Sequence, residues 1–146
     1  MSAAAAGLAA SAYWGSIFLG RVAFGAIAHH VAPATLLRLG MAGAPAAALV
    51  VCLTRGGAGG FAGLFSLGLL LAPIFPLLIA ETPARVGERH SAHAIGFQIS
   101  AATLGAGGVP ALAGLLARHA GLESLGPFLL GTSVLLLLLH ERGPRR

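Results

Sequence analysis

The chain has 146 residues, of which 57% are hydrophobic and 9% charged, with a mean hydropathy of +0.89. Soluble domains carry about 25% charged residues, so this composition excludes an ordinary water-soluble globule and points to an integral membrane protein. The net charge of +5 comes entirely from arginine, and those arginines stand singly or in pairs between apolar runs, not in a stripe interleaved with aromatics, which argues against a nucleic-acid partner.

The N-terminus, MSAAAAGLAASAYW, lacks the basic n-region of a signal peptide and is apolar for too long to be an h-region. It reads as the start of a first span, about residues 3–28, whose one charge is Arg21. That arginine lies roughly 10 Å from the span's end at helical rise, within snorkelling reach of the interface. The break HHVAP follows, with Pro33 suited to the first turn of the next helix. A second span covers about 34–53, with Arg38 one turn inside its start and Pro45 near its middle, and the turn TRGGAGG closes it. The third span, about 61–80, contains APIFP, and the fourth covers about 92–116. Between them lies the one dense polar island, ETPARVGERHSAH, with Glu81, Arg85, Glu88, Arg89, His90 and His93. The fifth span, about 122–140, follows the connection ARHAGLESLGP. Uncharged runs near 20 residues match the roughly 30 Å hydrocarbon core.

Five spans put the two ends on opposite sides, and arginine selects which. One side holds Arg21, Arg38, Arg85, Arg89, Arg142, Arg145 and Arg146, the other only Arg55 and Arg118. This asymmetry predicts a cytoplasmic C-terminus in a multi-pass protein of the cell membrane. Cys52 is the lone cysteine, so no intramolecular disulfide forms, and its apolar surroundings suggest packing.

Several residues carry two readings. Pro73, Pro76 and Pro110 each remove an intrahelical hydrogen bond that lipid cannot replace, so the freed groups need neighbouring helices or a watery cavity. Such breaks line transporter sites, and proline is also simply common in membrane helices. Gly96, Ser100, Thr103, Gly107, Pro110 and Gly114 alternate in steps of four and three, a small-residue face for close helix packing or for sliding and solute contact. Gln98, the only amide in the chain, wants a partner at its depth, either another helix or a solute. Trp14 with Tyr13 is either a stacking platform for a ring-shaped solute or a membrane-belt anchor. The histidine pairs lack metal-ligand spacing, every carboxylate lies at a span boundary, and no nucleophile–base pair or phosphate loop is present. No cofactor, metal or enzymatic chemistry is expected.

The order YWGSIFLGR, a short break, then APIFPLLIAETPARVGERHSAHAIGFQISAATLGAGGVPALAGLLARHAGL resembles the C-terminal part of major facilitator superfamily transporters, closest to the fucose-permease-like branch. The resemblance implies an all-α bundle of about five transmembrane helices, equivalent to helices eight to twelve of twelve. Gly20 and Arg21 would end the eighth helix. Pro73, Phe75 and Pro76 would form the proline-bearing tenth, and the residues from Gly105 to Gly114 the small-residue eleventh. It implies secondary active transport of a small polar solute, with a sugar among the candidates, by alternating access. Gly20, Arg21, Arg85 and Arg89 would latch the cytoplasmic side, and Trp14, the kink at Pro73, Phe75 and Pro76, and Gln98, Ser100, Thr103 and Pro110 would face the path. It also implies a partner helical bundle that this chain does not supply. The alternative is a non-transporting membrane protein whose small-residue faces serve assembly only.

Overall fold

A backbone with no water around it must close its own hydrogen bonds, and helix does this within each segment. In the computed structural model, which describes residues 3–54 and 57–142, the described chain is helical almost throughout and contains no strand. The order is α1 (Ala3–Ile27), α2 (Pro33–Thr54), α3 (Gly57–Leu71), α4 (Ile74–Val86), α5 (Glu88–Ala120), one 3₁₀ turn (Leu122–Ser124) and α6 (Leu125–Arg142). Arg55, Arg145 and Arg146 lie outside the described residues.

Among the described residues, four stretches are long and apolar enough to cross a bilayer: Pro33–Thr54, Gly57–Val86, Glu88–Ala120 and Leu122–Arg142. Helix α1, with 25 residues, is not among them. The described chain is all-helical, and these four stretches are compatible with a multi-pass membrane protein.

The polar island is not the loop its composition suggests. Helix α4 runs through Glu81 and Arg85 as far as Val86, α5 begins at Glu88, and Gly87 alone is non-helical, at φ +81°. The reason is local. Glu81 and Arg85 pair at i,i+4, a spacing that supports helix, and the left-handed turn falls on the one residue without a Cβ. The third and fourth spans are accordingly longer than expected. At roughly 50 Å, α5 exceeds the ~30 Å hydrocarbon core, which leaves its charged ends in the headgroup region.

Helix α2 is the axis. Leu36, Leu37, Met41, Ala44, Ala47 and Ala48 of α2 are buried, against α3 and α4 on one flank and α6 on the other. Helix α3 is held between α1 and α2 by small residues. Ser16 and Gly20 of α1, four apart, face Gly68 of α3 and Ala72 in the turn just after it, also four apart. A Cβ on Gly68 would run into Ser16 Oγ, and one on Gly20 would fall 2.6 Å from Ala72 Cβ. This is small-residue packing of the kind that substitutes for a hydrophobic driving force inside lipid.

Helix α5 stands apart. None of its residues is buried, and it touches mainly α4 and the 3₁₀ turn.

Candidate functional site

The residues with the most unusual surroundings lie where α3 gives way to α4. The α-helical ladder stops after the Ala72 amide bonds the Gly68 carbonyl (3.1 Å) and resumes where the Leu77 amide bonds the Pro73 carbonyl (3.0 Å). Pro73 and Pro76 have no amide hydrogen to offer the carbonyls of Leu69 and Ala72. Pro73 caps α4 and is buried, and Pro76 sits in the first turn of α4, where a missing N–H costs nothing. The kink expected from the two prolines is thus a two-residue interruption at Ala72–Pro73, with Pro73 still at right-handed helical dihedrals, followed by a well-formed helix start.

The break is buried in protein, not open to lipid. Ala72 and Ile74 are 4% and 7% exposed. A Cβ on Gly20 of α1 would sit 2.9 Å from the Leu69 carbonyl oxygen, and one on Gly40 of α2 would sit 2.6 Å from that of Leu70. Two glycines on opposite sides therefore let two helices close over the interrupted backbone. Gly20 acts here as a contact residue, while Arg21 next to it faces outward. Phe75 (42% exposed) and Pro76 also face outward.

Gln98 finds a partner on another helix. The Thr82 hydroxyl, on α4 and 3% exposed, lies 2.9 Å from Gln98 Oε1 and 2.8 Å from the Leu78 carbonyl, so its single proton is shared between two acceptors. Ser100 and Thr103 donate to carbonyls of their own helix, Gly96 and Ile99 (both 2.9 Å). The small-residue face has no neighbour among the described residues. A Cβ placed on Gly96, Gly107 or Gly114 meets nothing within 4 Å, and Pro110 is exposed.

The arginine-rich end holds two ion pairs among the described residues. Arg38 Nε donates to Glu141 Oε1 (3.1 Å), joining the start of α2 to the end of α6, and Arg85 pairs with Glu81 inside α4. Among the described residues no carboxylate bridges Arg21, Arg85 and Arg89 to one another. Trp14 is 68% exposed and meets Tyr13 edge-on, ring centres 5.9 Å apart, facing no cavity within the chain.

No family model matches the chain, and neither a curated protein nor a solved structure matches it. The functional reading therefore rests on the residues themselves.

Three features of the site escaped sequence reasoning. The Ser16/Gly20 and Gly68/Ala72 pairs carry a readable signal, two small residues four apart on consecutive apolar segments. Gly40 is one of many glycines and does not stand out until a carbonyl is placed against it. The Arg38–Glu141 pair joins residues 103 positions apart, a contact no local pattern encodes.

Proposed function

We propose that the chain is part of the C-terminal bundle of a secondary active transporter of the major facilitator type, moving a small polar solute, a sugar among the candidates, by alternating access. One observation carries the reading: a discontinuous helix whose break is enclosed by Gly20 and Gly40. Interrupted backbone is tolerated at membrane depth only inside protein or beside a cavity, and transporters use it where a solute is handled or a helix must bend. Helix α5 supports the reading from the other side. It is amply long enough to span, lacks any buried residue, and presents Ser100, Thr103 and Gly107 to no neighbour among the described residues. In this reading a partner helical bundle packs against it, α1 makes the fifth crossing, and the C-terminus lies in the cytoplasm. Gln98, Ser100, Thr103 and Pro110 border the path, and Trp14 faces the partner bundle or the lipid belt. Arg21, Arg85 and Arg89 latch the cytoplasmic side through carboxylates of that bundle.

The first test is to translate the DNA upstream of Met1 in every frame. Reading frames encoding the remaining spans of such a transporter, in frame or one frameshift away, support the proposal and identify the partner bundle. In the assembled transporter, Arg21→Ala is expected to lower uptake and Gln98→Leu to weaken solute affinity. Wild-type transport by both variants sinks the assigned roles.

The second reading, a non-transporting protein built for helix assembly, is favoured by the same open small-residue face of α5. A self-contained oligomer of this chain with no solute uptake selects it.

A further inference from the structure

Helix α5 is the longest element, at 33 residues, and the least held. Every other α-helix buries at least one residue in the bundle, and α5 buries none. Its contacts are mainly with α4 and the 3₁₀ turn, so little apolar surface has to be uncovered for it to leave. Elements with few buried contacts lie at the low end of local stability.

Both joints of α5 suit such a movement. Gly87 (φ +81°, ψ 152°) and Gly121 (φ +80°, ψ 166°) are single residues in a backbone region essentially closed to any residue with a Cβ. Glycine passes between positive and negative φ at little steric cost. Helix α5 can therefore change its tilt against α4 and α6 by turning about one residue at each end. A helix also keeps its backbone hydrogen bonds inside itself, so lipid accepts the face that it uncovers.

The one polar tie is arranged so that it opens cheaply. The Thr82 hydroxyl lies 2.8 Å from the Leu78 carbonyl on its own helix and 2.9 Å from Gln98 Oε1 on α5. When α5 moves off, the proton stays with Leu78 and no donor is stranded. Only the Gln98 oxygen loses its partner, whereas a donor bonded to α5 alone would leave both groups unmet.

We propose that α5 undocks from the bundle as a rigid helix turning about Gly87 and Gly121, with the Thr82–Gln98 bond as its catch, while the remaining helices keep their packing. Docked and undocked states coexist, and the catch sets their ratio. The inference is independent of the transport reading: a chain that transports nothing can undock α5, and a transporter can hold it fixed.

The test uses the full chain in phosphatidylcholine nanodiscs, in a Cys52→Ala background, with spin-label distances read by double electron–electron resonance. One pair, Val109→Cys and Leu49→Cys, reports α5 against α2; a second, Leu19→Cys and Leu49→Cys, reports α1 against α2. All three positions are exposed. The α1–α2 pair is expected to give one narrow distance and the α5–α2 pair two populations. Thr82→Val is expected to raise the ratio of undocked to docked about threefold, the factor an average interhelical hydrogen bond in a membrane is worth. Gly87→Ala, which bars the docked dihedrals, is expected to shift the ratio the same way. Gly96→Ala, where a Cβ meets nothing within 4 Å, is expected to leave it unchanged. Gln98→Leu opens the same catch from the other side and reports on it should Thr82→Val fail to fold. A single α5–α2 distance as narrow as the α1–α2 one overturns the proposal, and so does a ratio that neither catch variant moves.

Discussion

The hydroxyl of Thr82 lies 2.9 Å from Oε1 of Gln98, and among the described residues this is the one side-chain hydrogen bond joining α5 to another helix. The rest of α5 is attached through Gly87 at its start and the turn after Gly121 at its end, both at left-handed φ (+81° and +80°). A long helix is thus tied to the bundle at its two ends and at one polar contact.

The two partners of that contact are not equivalent. Thr82 retains the Leu78 carbonyl when Gln98 is removed, whereas Thr82→Val leaves the Gln98 carbonyl oxygen without its donor. Thr82→Val is therefore expected to destabilise more than Gln98→Leu, since an unmet polar group costs more than a lost bond. The coupling between the two is expected to be about 0.6 kcal/mol, the average for interhelical hydrogen bonds in membranes. A double-mutant cycle read by unfolding in mixed detergent measures both; a coupling of zero would show that the bond contributes nothing.

Gly20→Ala places a methyl against the Leu69 carbonyl oxygen and Ala72 Cβ, neither of which is the end of a flexible side chain. Separation of α1 from α3 at a cost of about 1–3 kcal/mol is expected, as for other overpacked sites. Gly15→Ala, on the same helix with nothing within 4 Å, is expected to be neutral or slightly stabilising through helix propensity. Equal unfolding midpoints for the two variants would remove the close approach as the reason for glycine at position 20.

Pro73→Ala returns an N–H opposite the Leu69 carbonyl, yet the geometry of the break is held from both sides by Gly20 and Gly40. The variant is expected to keep its unfolding midpoint within about 1 kcal/mol of wild type while, in the assembled transporter, uptake falls. Full uptake with a straightened helix would show that the break has no part in transport.

Arginine placement predicts membrane orientation. In a Cys52→Ala background, His119→Cys at the far end of α5 is expected to react with an impermeant maleimide in intact cells. Arg89→Cys at the near end is expected to react only after permeabilisation. Both positions are exposed on the same helix, so the reverse pattern inverts the topology.

Composition and the spacing of apolar runs were enough to predict helices long and apolar enough to cross a bilayer, because that property depends on hydrophobic length one segment at a time. The starts of α2 at Pro33 and of α6 near Leu122 were legible for the same reason: proline at a first helical turn and the glycine-flanked connection act locally. The island from Glu81 to His93 misled because charge density resembles a loop, while the Glu81–Arg85 spacing favours helix and one glycine suffices to turn the chain. Only the tertiary structure decided that the APIFP break is enclosed by Gly20 and Gly40, that Gln98 meets Thr82, that Arg38 meets Glu141, and that the small-residue face of α5 meets nothing among the described residues. Each is a contact between segments far apart in sequence, set by how helices cross. In a chain where nearly every apolar segment has a small-residue face, the sequence offers many equivalent crossings, and packing against α2 selects one.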